Sequence, residues 1–384
     1  MTAIVTDAHY RMSVSLIRDL FDRGVRVAAC EKASIEAPVG FASRGAAQCV
    51  RLPDEEYEAA LLALCREVLE IEGEKPVLLP VGAKTLAMVS RSRDAFSAVA
   101  GLCAATPSQL TLFNDKAAVS ALAKTLGVPV PESFERQPEE ADEPFFSRVP
   151  LPCAVKPHCG ESFGLTASQR YRICRTKDEL RAAFHHFKAL TNEDPIVQEY
   201  LPGAAYGCSV LAKDGAVYRS LCHRRVREYP VSGGPSSCCE SVSRSDLLAF
   251  SEALVQETGF TGPAMFEFKC AADGSPRLLE VNPRVWGTFP LTRAAKTDFA
   301  YSWFCLAANL PLPEEVPAQH VKMAYYPADF AAGLGYHKAG QPGRFFAAAA
   351  DFLSPCVKNG IADPKDPAPA QVYFRNLFHR GGHK

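Results

Sequence analysis

Net charge is almost missing from this sequence. Its 42 Lys and Arg against 43 Asp and Glu leave a formal charge of −1 over 384 residues, which excludes the broad basic face that nucleic acids require. Long apolar runs are missing too: no stretch approaches the ~20 apolar residues of a membrane span. The start, Met1-Thr2-Ala3-Ile4-Val5-Thr6-Asp7, has no basic segment ahead of an apolar core. Neither nucleic acid nor membrane is expected as a partner, and a cytoplasmic location is. The 14 cysteines are scattered without a Cys-x-x-Cys, and the adjacent Cys238 and Cys239 suit neither zinc nor a disulfide framework. Reduced, mostly buried thiols are expected. No Gly-x-Gly-x-x-Gly follows the early strands and no Gly-Lys-Ser/Thr occurs, so dinucleotide binding and a Walker-type phosphate loop are unsupported. Repeats and low-complexity tracts are absent. A chain of this length accommodates two or three domains at ~100–200 residues each.

What is present is a set of short motifs. Leu278-Leu279-Glu280-Val281-Asn282-Pro283-Arg284 sets Glu280 and Asn282 two apart on a predicted strand. Both then face one way, while Leu279 and Val281 fill the apolar layer behind. Met265-Phe266-Glu267-Phe268-Lys269 has the same rhythm, and a hairpin closed by Asp273-Gly274 brings Glu267 onto the neighbouring strand. Two acids and an amide are hard oxygen ligands suited to Mg²⁺, which completes its octahedron with water and nucleotide phosphate oxygens. Solvated polar positions on a half-exposed hairpin are the alternative. Residues Cys153 to Leu165 run from a short strand into a loop with Lys156 at its mouth and glycines at Gly160 and Gly164. Backbone amides there, with the Ser162 hydroxyl, make a concave anion site; a plain hairpin turn is the alternative. Cys159 lies in that loop, either as a small neutral residue or as a thiol whose oxidation would inhibit.

The order of these motifs resembles that of the ATP-grasp superfamily. Asn114-Asp115-Lys116, opening a helix with Asn114 as expected N-cap, is similar to the segment of the first nucleotide lysine. The Lys156-Pro157 loop resembles the second lysine and its phosphate-covering loop. Ile196-Val197-Gln198-Glu199-Tyr200-Leu201-Pro202-Gly203 is similar to the segment that joins the halves of the grasp and holds the adenine. Glu267, Glu280 and Asn282 follow in the order of the metal ligands. The resemblance covers roughly residues 112 to 310, and Arg224-Arg225 through Ser236 adds a segment like that of carbamoyl-phosphate-synthase-like and amino-acid ligase members.

This resemblance implies an α/β and α+β architecture, an ATP-grasp fold behind a Rossmann-like front domain. Residues 1–110 would be the front domain, 111–195 the first half with the phosphate loop, 196–315 the second half with the metal site, and 316–384 a C-terminal extension. It implies ATP and Mg²⁺, with Mn²⁺ as a substitute. Lys116, Lys156, Gly160, Ser162, Gly164, Gln198, Glu199 and Leu201 would contact the nucleotide, and Glu267, Glu280 and Asn282 the metal. Val155, Leu201 and Leu279 would wall the purine slot, with core packing as the alternative for each. Small-molecule carboxylate and amine substrates are implied, amino acids above all, and a homodimer as in many relatives. One departure stands out: members commonly carry a ribose-binding acid just after the hinge glycine, where this chain reads Gly203-Ala204-Ala205-Tyr206. Alanine accepts no hydrogen bond, so either another residue binds the ribose or nucleotide affinity is weaker.

The arginines indicate the chemistry. A carboxylate attacking ATP gives an acyl phosphate, and the developing charge needs cations aimed at it. Arg284 follows the metal hairpin, and Arg224, Arg225 or Arg227 completes the clamp or binds the substrate carboxylate, with surface salt bridges as the alternative. Residues 232–237 resemble a substrate loop. At the front, residues 3–6 and 25–30 flank an amphipathic Met12–Arg23 and read as a βαβ start; Asp7, His9 and Tyr10 are acceptor-site candidates or plain turn residues. Residues 135–150 read as an acidic surface loop, residues after 312 as a small appended subdomain, and the last seven as frayed. The implied activity is a carboxylate-amine ligase; a bicarbonate-using carbamoyl-phosphate-synthase-like or carboxylase activity, and a noncatalytic nucleotide sensor, are the alternatives.

Overall fold

The computed structural model describes residues 1–158, 165, 169–231 and 233–380, the last three in backbone only. Among these residues the strands form three sheets. The first is parallel, ordered β3-β2-β1-β4, from β1 (Thr2–Val5), β2 (Arg26–Lys32), β3 (Ala46–Leu52) and β4 (Val77–Leu79). Apart from Glu31 near the end of β2, its inner strands are apolar at every central position because both faces are covered, as parallel sheets require. Ile4, Ala28 and Leu78 pack one face on the helix Tyr57–Glu72, while Ala3, Val5, Val27 and Leu79 pack the other on Leu16, Ile17 and Leu20 of the helix Arg11–Asp22. That second core also takes in Trp286, Phe289, Phe299 and Trp303. The chain downstream of the acidic hairpin is therefore built into the front sheet.

The second sheet is antiparallel, ordered β5-β8-β6-β7, from β5 (Ser133–Phe134), β6 (Cys153–Lys156), β7 (Arg172–Cys174) and β8 (Ile196–Glu199). The helix Lys177–Thr191 closes it, started by a Thr176/Glu179 capping box and ended at Asn192 in the left-handed region. Residues 135–150 depart from the expected surface loop. They contain a helix, Asp142–Arg148, whose Phe145 and Phe146 pack with Phe184 and Phe187 beneath this sheet; the acidic and proline content hid two core aromatics. Val155 lies in the same core, so it does not wall a purine slot.

The third sheet is mixed, ordered β13-β12-β9-β10-β11-β14-β15. Its strands are β9 (Ala205–Lys213), β10 (Ala216–Glu228), β11 (Ser236–Val242), β12 (Gly262–Cys270), β13 (Pro276–Asn282), β14 (Lys322–Ala324) and β15 (Val357–Asn359). One face packs on the helices Pro107–Asn114, Lys116–Thr125 and Ser245–Thr258 through Phe113, Val119, Leu254, Phe266 and Phe268. Strands β14 and β15 extend this same sheet, so the chain after residue 312 is not a separate appendage. It also returns to the front: Arg18 donates to Asp366 and to the Ile361 carbonyl at 2.9 and 2.8 Å. Ser236 and Ser237, expected in a flexible loop, open β11, and Ser237 donates to Asp329 at 3.0 Å. All described cysteines are free thiols, buried except Cys49 and Cys356. Among the described residues no helix is long and apolar enough to cross a membrane.

Arg227 is the buried tie between β10 and the helices Ala328–Lys338 and Pro342–Leu353. It donates to Asp329 at 2.8 and 2.7 Å and reaches Asp351 at 2.8 Å, with its side chain 2% exposed and that of Asp329 wholly buried. It therefore belongs to the frame and not to a catalytic clamp. Arg227→Ala should cost about 3–5 kcal/mol, because it leaves a buried carboxylate uncompensated; denaturant titration measures this.

Candidate active site

The hairpin of β12 and β13 closes through Gly274, whose φ of 82° demands glycine. Its register pairs Met265 with Asn282, Phe266 with Val281 and Glu267 with Glu280, then slips so that Phe268 faces Leu278. Leu279 is the extra residue of this bulge. Leu278 and Val281 are the buried pair at 2% and 4% exposure, so the bulge, not strict alternation, decides which leucine fills the apolar layer. The two carboxylates stand directly opposite each other, an arrangement that is unfavourable without compensation. Two cations supply it. Arg225 Nη2 lies 2.6 Å from Glu267 Oε2, and Lys116 Nζ lies 3.1 Å from Glu280 Oε2. Asn282 Nδ2 donates to Glu267 at 3.2 Å, and Arg284 Nη2 donates to Asn282 Oδ1 at 3.3 Å.

Burial and charge act against each other here. Burial pushes the Glu280 carboxyl up, but the charges of Lys116 and Lys156 outweigh it and hold the group at about 2. Burial raises Glu267, and Arg225 only partly opposes it. Burial and then the like charge of Lys116 draw Lys156 down to about 8. Lys156 thus belongs to the same electrostatic cluster. Among the described residues no group of three or more His, Cys, Asp or Glu could hold a metal by itself. The donor set of two carboxylates and an amide oxygen fits a hard divalent cation that takes its remaining ligands from water and phosphate.

Lys116 is the first residue of its helix, and its place depends on the cap before it. The cap is Asp115, not Asn114: its Oδ1 accepts from Ala117 N and Ala118 N at 2.8 and 3.0 Å, while Asn114 ends the preceding helix. Gln198 is 5% exposed and donates to Ser133 Oγ at 2.9 Å; its Oε1 has no partner among the described residues. It lines a cavity of about 330 Å³ between the Lys116 helix and strands β5 and β8. Glu199 N donates to the Glu132 carbonyl at 2.9 Å, and Leu201 is buried. Gly160, Ser162 and Gly164, with Cys159 and Ser232, lie outside the described residues. Arg224 does not join the cluster. Adjacent strand residues face opposite ways, and Arg224 pairs with its cross-strand neighbour Glu240 at 2.5 Å, 45% exposed.

At the front, the Asp7 carboxylate accepts from Gly82 N and Thr85 Oγ1, each at 2.8 Å, and so braces two loops. His9 Nδ1 and the buried Glu31 meet at 2.6 Å. Motif reading missed His223, one strand position from Arg224 on the opposite face. It is 1% exposed, lies 3.3 Å from Thr288 Oγ1, and is pushed down to about 3 by burial and the charge of Arg225. A neutral imidazole thus floors the site. The available signal was Gly207, a glycine inside a strand, which marks a close approach: a Cβ there would collide with the His223 ring.

Residues 191–326 match the family described as ATP-grasp in the biosynthetic pathway with Ter operon. No curated protein matches the sequence. Solved structures do. The biotin carboxylase domain of Hydrogenobacter thermophilus 2-oxoglutarate carboxylase, described as a dimer in complex with MgADP, ADP and bicarbonate, has TM-score 0.64 at 15% identity, over 84% of this chain and 73% of that one. Biotin carboxylase from Campylobacter jejuni gives 0.65 at 14%, over 84% and 74%. L-amino acid ligase from Bacillus licheniformis gives 0.58 at 15%, over 84% and 78%. At such identities these are likenesses of fold.

The contact between Gly207 and His223 can be tested directly. Gly207→Ala should lose about 1–3 kcal/mol by overpacking, and the same change in a His223→Ala background should cost much less. Denaturation midpoints of the four chains give the coupling.

Proposed function

We propose, from the premise that the chain has an ATP-grasp fold, that it is an ATP- and Mg²⁺-dependent ligase that joins a carboxylate to an amine. The observation that carries this reading is the opposed pair Glu267 and Glu280, each held by its own cation, with Asn282 and Arg284 hydrogen-bonded alongside. Cations outnumber carboxylates in this cluster, which suits a polyphosphate. Glu267, Glu280 and Asn282 would hold Mg²⁺, which when bound supplies positive charge to the phosphate oxygens. Lys116 and Lys156 act as point charges on the phosphates. Gly160, Ser162 and Gly164 are proposed to complete the phosphate cradle. Gln198 Oε1 is free to accept from the adenine amino group, with Glu199 and Leu201 beside it.

A carboxylate oxygen of the substrate attacks the γ-phosphorus and the bond to ADP breaks. Arg284 and Arg225 offset the charge spread over the transferred group. The amine then attacks the acyl carbon, the bond to phosphate breaks and the nitrogen loses a proton. Amide, ADP and phosphate are the products. Amino acids are the proposed substrates. Bicarbonate as the carboxylate is the second reading, favoured by the likeness to two biotin carboxylases.

Incubation with ATP, Mg²⁺ and pooled amino acids should release ADP in a pool-dependent manner, and Glu280→Ala should lower the rate by about 100-fold or more. Undiminished release in that variant sinks the mechanism, and release with bicarbonate alone selects the second reading. The pH dependence follows from Lys156. Its charged form attracts phosphate and is lost as pH rises through about 8, so ATP affinity should fall above that pH by up to ~10-fold per unit, one proton being taken up on binding. Calorimetry from pH 7 to 9 reads this, and Lys156→Gln should flatten the slope.

A further inference from the structure

We propose that Arg11 binds the non-reacting carboxylate of an amino-acid substrate, at the seam between the front sheet and the acidic cluster. The proposal rests on the ligase reading for which groups react, and on its own geometry for where this carboxylate sits.

Arg11 opens the helix that follows β1, at the carboxyl end of a parallel sheet, where such sheets take ligands. It is half-buried and has no acidic partner among the described residues, an uncommon state for an arginine out of bulk water. Its Nε donates to the Gly287 carbonyl at 3.2 Å, and no described residue accepts from Nη1 or Nη2. The guanidinium is nonetheless fixed. Its Cζ lies 4.1 Å from the centroid of the Tyr325 ring, a cation–π contact, and Gly360 packs so closely on the same ring that a Cβ there would collide with it. The approach to Arg11 is rigid as well: Asp7 is held by Gly82 and Thr85, and Ser13 Oγ donates to the Thr6 and Asp7 carbonyls at 3.1 and 2.8 Å. A guanidinium held on one edge and one face, with two nitrogens to spare, is prepared for the bidentate contact that carboxylates make best.

Its position ties it to the reaction. Gly287 is three residues beyond Arg284. Across the sheet, Arg225 is the ladder partner of Cys239, and the Cys239 thiol lies 3.8 Å from the Tyr325 hydroxyl. Tyr325, and with it Arg11, therefore lies about two strand spacings from the Arg225 position, roughly 10 Å along the sheet and on the sheet face that carries Arg225. Glu31, the nearby buried acid, is occupied by His9 and by the Lys32 amide and does not quench Arg11.

The test is calorimetric binding of the free L-amino acids, each against its C-terminal amide, in the presence of Mg²⁺ and ADP. At least one free acid should bind, and its amide should bind about 10- to 100-fold more weakly, as expected for loss of a charge-assisted pair. Arg11→Gln should weaken the free acid by the same factor and leave the amide unchanged, and Arg11→Lys should recover part of the loss. An unchanged melting temperature without ligand shows that the variants fold. A panel without a binder, an amide that binds like its acid, or a substitution that weakens both alike overturns the proposal. The wild-type comparison of acid with amide needs no variant. ADP release is read separately, so a failed ligase reading and a failed carboxylate site remain distinguishable.

Discussion

Two carboxylates placed opposite each other on an antiparallel ladder repel, and they stay in a crowded cleft only when cations from elsewhere reach them. Glu267 and Glu280 impose that requirement on the rest of the molecule. The helix that begins at Lys116 must run along the edge strand β13, and β10 must present Arg225 two strands from β12. The cap at Asp115 and the exchange of hydrogen bonds through Asn282 and Arg284 follow from the same need. Each partner comes from a different element, so the cleft has this charge distribution only when all of them are assembled.

The surrounding architecture makes that assembly rigid. The chain that leaves β13 enters the core of the front sheet with Trp286, Phe289, Phe299 and Trp303, and Trp303 Nε1 donates to the Cys103 carbonyl at 2.7 Å. The C-terminal residues close the frame from the other side, through Arg18 to Asp366 and Arg227 to Asp329. The segment after the acidic hairpin is thus shared by two layers, and Arg11 meets it at Gly287. Packing of the front sheet and geometry of the cleft are consequently one problem, not two.

Much of the architecture was legible in the sequence. The hairpin around Gly274, the βαβ start and the ATP-grasp arrangement could be read from period-two acids, turn residues and the order of motifs. The misreadings have physical causes. Asn114 and Asp115 are both good caps, and only the end of the preceding helix decides between them. Leu279 and Leu278 exchange places because a bulge shifts the alternation by one. Phe145 and Phe146 were masked by acidic neighbours that face solvent. Arg224, Arg225 and Arg227 read as one cluster; strand alternation and the bulges of β10 send one to Glu240, one to Glu267 and one into a buried frame.

What the sequence by itself determined is local: which residues alternate, where the chain turns, and that acids, lysines and arginines recur in a given order. These follow from backbone sterics and side-chain periodicity, which act over a few residues. Only the tertiary structure decided the pairing, because ion-pair partners lie far apart in the chain. Lys116 and Glu280, Arg225 and Glu267, Arg11 and Tyr325 meet through packing of separate elements. Burial then gave those meetings their strength, by raising the cost of any charge left without a partner.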